Sequence, residues 1–248
     1  MLGFRKLTLV QAKLYLREPM AAFFTLLFGP FMLLILGAIF GNDPDPMYGG
    51  GLGYLDMAVP AYMAMIIGIV GLTAVPISAA IRREEGVLRR FSATPLRPFT
   101  YFLTDVLVPF LMTLLGILLL VLVGVVVFNV HFEGNLFSLL AGITLGACAF
   151  FSLGYALVGL IPSARAVVVI GNVVLYPLMI FSGAMVPLEV MPDMVLTISR
   201  YLPLTHLVAL LRGLWFGTGW GDLLTEVAVL AGLAIVGTPI VARTFRWE

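Results

Sequence analysis

The sequence predicts an all-α integral membrane protein with six membrane-crossing helices, and three observations carry that expectation. Apolar residues make up 61% of the 248-residue chain and charged residues only 11%, against about a quarter in a soluble domain. Six apolar runs are each long enough to cross a bilayer. The basic residues are also sharply partitioned. Arg5, Lys6, Lys13 and Arg17 at the N-terminus, five arginines between the second and third runs, Arg165, and Arg243 and Arg246 in the tail make twelve on one side. Only Arg200 and Arg212 fall on the other, which predicts both termini in the cytoplasm. No polar block is long enough for a second folded unit, so residues 1–248 are read as a single transmembrane domain.

Residues 1–18 place Phe4, Leu7, Val10 and Leu14 on one helical face among four cations, the pattern of an amphipathic helix lying on the inner membrane surface. The first span runs from Met20 to Phe40, with Gly29-Pro30 predicting a kink. Asn42 to Gly53 has no Lys or Arg and is rich in Asp, Pro and Gly, so it reads as an outer loop. The second span covers Met57 to Ile81 and the third Phe99 to Phe128, the latter long enough to tilt or protrude. The fourth covers Leu136 to Ile161, and its Gly142 and Gly146 have the spacing of a close helix contact. A tight inner turn, Pro162 to Arg165, leads to the fifth span, Ala166 to Val186, and the last covers Leu223 to Val241.

The stretch 82–97 concentrates seven charges, Arg82, Arg83, Glu84, Glu85, Arg89, Arg90 and Arg97, in sixteen positions. Glu85 and Arg89 stand four apart with the acid first, and Val87, Leu88 and Phe91 align at spacings of three and four, which predicts a short amphipathic helix over Glu84 to Phe91. Pro95 biases Thr94 away from the α region and closes it. A loop that only orients the chain needs its positive charge and nothing more. An apolar ridge set among the charges fits a loop that also docks a soluble partner.

Residues 187–220 fit neither span nor ordinary loop. Pro187, Pro192, Pro203, Glu189, Asp193, Arg200 and Arg212 forbid a clean crossing, yet Leu188, Met194, Ile198, Leu207, Leu210, Leu211, Leu214 and Trp215 are too apolar for a solvated connection. The expectation is a re-entrant helical hairpin in the outer leaflet, its arginines snorkelling toward head groups. It serves as an anchor, or as an outer gate in which Pro187, Leu188, Pro203 and Arg212 take part.

The chemistry missing from the chain narrows its function. No Asp, Glu, Lys, Arg or His falls deep in any of the six predicted spans, whereas ion-coupled transporters place such groups at mid-membrane. A phosphate-binding loop needs Gly-Lys, and the only lysines, Lys6 and Lys13, follow Arg5 and Ala12. His131 and His206 lack the spaced partners of a metal site, and Cys148 is the only cysteine. Ser199, Asp193 and His206 could be drawn as a hydrolytic triad, but no Gly-x-Ser-x-Gly elbow accompanies them. The chain is expected not to be an enzyme, to hold no cofactor or metal, and to bind no nucleic acid.

With these features the sequence resembles the membrane permease subunit of type-2 ATP-binding cassette exporters, the group of daunorubicin-type drug, nodulation-factor and polysaccharide exporters. The resemblance covers the whole chain. It is carried by Arg82 to Leu96 and by Ser182-Gly183-Ala184-Met185-Val186-Pro187-Leu188-Glu189, continued by Leu202 to His206 and Leu211-Arg212-Gly213. It implies that Glu84, Glu85, Gly86, Val87, Leu88, Arg89, Arg90, Phe91, Thr94 and Pro95 belong to a coupling helix that fits a cleft on a separate ATPase subunit. Arg82 and Val87 depart from the family's usual Glu and Thr. It further implies a second permease copy in a homodimer, ATP and Mg2+ in the partner subunit, and residence in a bacterial cell membrane among its lipids. Phenylalanine-rich spans with few polar groups suit a lipophilic drug or lipid-like cargo, with Phe24, Phe28, Tyr62 and Met65 as candidates to line its path. A polysaccharide or glycolipid exporter, and a channel or scaffold without a motor, are the alternatives.

Overall fold

In the computed structural model, residues 2–46, 51–86, 98–186, 188 and 191–244 are described, and every regular element among them is helical. A first helix, α1 (Leu2–Arg17), precedes six helices long and apolar enough to cross a membrane. These are α2 (Pro19–Phe40), α3 (Tyr54–Glu84), α4 (Pro98–Phe128), α5 (Leu136–Leu160), α6 (Ala164–Phe181) and, after two shorter helices, α9 (Leu224–Thr244). The shorter pair, α7 (Asp193–Ser199) and α8 (Pro203–Trp215), is bent by 90° between its members. One end of the bundle carries Arg82, Arg83 and Arg165 and is called the basic end below.

Burial ranks the spans. The apolar window of α3 is 72% buried, while those of the other five range from 17% to 44%. α3 is therefore the post around which the rest is packed. Leu55, Val59, Met63, Ile66, Ile67, Val70 and Leu72 along it are sealed from solvent. Its sequence permits this because residues with small or unbranched side chains alternate with β-branched ones, so neighbours approach closely. Gly71 faces Phe150 of α5, and α5 in turn presents Gly154 to the Gly71 carbonyl.

Proline shapes two of the spans in the same way. Pro30 and Pro76 cannot donate to the carbonyls four residues earlier, Leu26 and Leu72, and both carbonyls lie in π-helical turns, Phe23–Leu27 and Val70–Ala74. The break expected at Gly29-Pro30 is thus taken up one turn upstream, within the helix.

The expected re-entrant hairpin between the fifth and sixth spans is the bent pair α7 and α8. Among the described residues α7 carries exposed Met194 and Ile198, while α8 is packed inside the bundle against α3, α5, α6 and α9. Leu204, Leu207, Leu210, Leu211, Leu214 and Trp215 are each at most 1% exposed. Leu204 meets Gly68 of α3, Leu207 meets Gly146 and Leu214 meets Gly142 of α5, so α8 runs antiparallel to α5. The Gly142/Gly146 spacing does mark a close contact, and the partner is α8. A stripe this apolar gains more from the bundle interior than from head groups.

At the opposite end, Asp56 is 1% exposed and fully engaged. Its Oδ2 accepts from the Gly53 N–H at 2.9 Å and its Oδ1 from the His131 N–H at 2.8 Å. Asn42 Oδ1 accepts from the Leu55 and Asp56 amides, and the Trp215 indole donates to the His131 carbonyl at 2.7 Å. This knot joins the end of α2, the start of α3, the loop after α4 and the end of α8.

Candidate functional site

Segment 87–97 follows the basic end of α3 in the sequence, and the three residues that close that helix are committed to three different neighbours. Arg82 pairs with Asp105 of α4 through Oδ1, while Tyr155 of α5 donates to Asp105 Oδ2 at 2.8 Å. Asp105 is 5% exposed and Tyr155 2%. A carboxylate this buried is tolerable only when paired and hydrogen-bonded, and here each oxygen has a donor. Arg83 donates to the carbonyls of Val158 and Ile161, the latter at 2.7 Å. These carbonyls lie at the C-terminal end of α5, where helix groups lack internal donors and a cation complements the dipole.

Glu84 reaches the other way. Its Oε1 accepts from the Ala164 N–H at 2.6 Å, capping the first turn of α6, where a carboxylate suits the positive helix end. The Ser163 side chain accepts from Ala166 N–H in the same turn. Immediately beyond, Gly86 adopts φ 64°, a left-handed conformation that ends α3. Within three consecutive residues, α3 is thus joined to α4, α5 and α6 at the doorstep of segment 87–97.

The expected amphipathic helix is corrected at its start. Glu84 closes α3 and Glu85 and Gly86 form the turn after it, so a helix beginning at Glu84 and passing through Gly86 does not form. Glycine is what allows this, since a left-handed residue is cheap only without a Cβ. Val87, Leu88, Arg89, Arg90, Phe91, Thr94 and Pro95 lie outside the described residues.

The path candidates are separated by burial. Tyr62 and Met65 are 3% and 1% exposed within the single chain, and Phe24 and Phe28 are half-buried with ring centroids 5.2 Å apart. Of the outer-gate residues, Pro187 lies outside the described residues. Leu188 covers Gly183, whose φ is 81°, and Pro203 opens α8. Arg212 is half-buried beside a small hollow that it shares with Tyr54, Tyr62 and Met185. The hydrolytic triad is not assembled, for Ser199 donates to Leu196 O while His206 bonds to Arg200 O.

Sequence reasoning missed the Arg82, Asp105 and Tyr155 cluster and the Asp56 knot. The available signal was the acid itself, because a carboxylate near the end of an apolar run needs a named partner.

One family and three relatives are similar to this chain. The family described as ABC-2 type transporter matches residues 3–216. "Inner membrane transport permease YhhJ" of Escherichia coli (strain K12) is 30% identical over 198 residues, 77% of this chain and 50% of that protein. "Putative transport permease YvfS" of Bacillus subtilis (strain 168) is 30% identical over 169 residues, 66% of this chain and 65% of that protein. "Nodulation protein J" of Rhizobium leguminosarum bv. trifolii is 33% identical over 88 residues, covering 36% of this chain and 34% of that protein. The chain thus spans about half the length of the first of these relatives. Together with six membrane-length helices, they mark an integral protein of a bacterial cell membrane.

Proposed function

The chain belongs to the ABC-2 type transporter family, and from that footing we propose that it is the membrane subunit of an ATP-driven exporter. A separate ATP-binding cassette subunit, which holds ATP and Mg2+, docks at the basic end, and this end faces the cytoplasm. A second copy of the chain completes the translocation path. The cargo is a lipophilic drug or lipid-like compound.

The observation that carries this reading is the junction at Arg82, Arg83 and Glu84. A push on segment 87–97 reaches α3 first, and α3 is hydrogen-bonded to α4, α5 and α6 at that point. A loop serving only to orient the chain needs no such linkage. The basic character of the segment and its apolar ridge, Val87, Leu88 and Phe91, supply a surface for a soluble partner. Lipophilic cargo is supported by the aromatic cluster of Phe23, Phe24 and Phe28.

The test is to reverse the charges at Arg89 and Arg90 together with Phe91→Ala in the complex with its ATPase. ATP hydrolysis is expected to continue while export from sealed vesicles stops. Unaltered export would rule out the docking role.

A further inference from the structure

A cavity among the described residues lies beneath α1, at the basic end of the bundle. It has a volume of about 480 Å³, within the range of roughly 300–1,000 Å³ usual for organic ligands, and separates α1 from the basic ends of α3 and α4. Its walls are apolar. Val10 and Leu14 of α1 face Ile81 of α3 and Val108 of α4 across it. Val10 and Leu14 line the cavity and remain 53% and 57% exposed. The helix packs against α4 and is fastened at its end, where the Tyr15 hydroxyl is bonded to Thr25 Oγ1 at 2.7 Å.

The charges around the cavity are mixed. Asp105 pairs with Arg82, which leaves Arg17 as the cation against two anions, Glu18 and Glu85. Gln11 also lines the cavity, and its Oε1 is buried without a hydrogen-bond partner among the described residues. A purely anionic head group would meet two carboxylates and one guanidinium. A zwitterion whose phosphate meets Arg17 and whose ammonium meets Glu18 and Glu85 matches all three.

From this arrangement we infer that the cavity is a binding site for a phospholipid with a primary ammonium head group, drawn from the leaflet at the basic end. Acyl chains lie between α1 and α3/α4, so the lipid fills the gap that α1 leaves. Other occupants are separable. An anionic phospholipid would not need Glu18 and Glu85, and the chain's own segment 87–97 would need no lipid at all.

The experiment reads bound lipid and requires neither nucleotide nor an ATPase partner, so its failure leaves the exporter reading untouched. The full chain is reconstituted in nanodiscs of phosphatidylethanolamine and phosphatidylglycerol in equal amounts, extracted gently, and its retained lipid identified by native mass spectrometry. The wild type is expected to retain phosphatidylethanolamine in excess. Leu14→Trp, which fills the cavity, should lose it. Glu18→Gln with Glu85→Gln, two exposed changes that do not disturb the packing, should cut the preference by about fivefold per carboxylate, the scale of one charge contact at a head-group surface. Equal retention of both lipids, or no retention, by the wild type overturns the inference. So does cross-linking of Val10→Cys to Leu88→Cys in a Cys148→Ala background, which would place segment 87–97 in the cavity.

Discussion

Tyr15 shows how one side chain can report on the docking of a whole helix. Burial pushes its hydroxyl up from 10.0 to about 12, the hydrogen bond with Thr25 acts in the opposite direction, and the nearby Glu18 adds to the rise. The unfolded chain therefore releases this proton at lower pH than the folded one does. Tyr15 favours the docked state fully below pH 10, and that contribution is lost as pH rises from 10 toward 12. A tyrosinate absorbance titration of the wild type minus that of Tyr15→Phe should show one group ionising near 12. If the difference centres near 10, the hydroxyl is in water and α1 is not seated as described. Sequence periodicity had marked the apolar face of α1. It could not mark Tyr15 as the fastener, because Thr25 lies in the next helix and only the chain's turn at Glu18 brings them together.

At the scale of elements, two contacts are separately testable. Glu84→Ala removes the cap from α6 and should cost about 1 kcal/mol, the usual worth of a helix cap, read as a lowered melting temperature in detergent. Glu84→Gln keeps an oxygen acceptor and should recover most of it. Gly146→Leu is expected to do more harm, because Leu207 occupies the space any side chain would need, and overpacking commonly costs about 1–3 kcal/mol. Unchanged stability would mean that α8 is not inserted beside α5. The spans were legible because length and apolar content alone specify them. The bent pair α7 and α8 was legible from Pro203, Arg212 and the surrounding acids, but the packing partners of α8 were not, because the glycines that receive its leucines sit far off in the sequence. The start of the segment after α3 was misread because Gly86 fits both a helix and a left-handed stop, and local spacing does not choose between them.

For the whole molecule, the post formed by α3 joins two polar fastenings at opposite ends, Asp56 at one and Arg82 to Glu84 at the other. Between them the helix is almost wholly apolar and enclosed. The sidedness of basic residues was readable as composition. The pairing that uses it was not, since Asp105 gathers Arg82 and Tyr155 only once three spans are assembled. Tyr62 and Met65 were chosen for their chemistry, and packing puts them in the core of a single chain.

The grip of Asp56 has one more implication, because it holds the amide of position 131 at 2.8 Å while the imidazole of the same residue comes only to 3.5 Å. Such a clasp measures ribbon length before it reads spelling. Inserting one residue between Asn129 and Asn135 should lower the melting temperature more than His131→Ala does, and the reverse order would show that the imidazole itself is the catch.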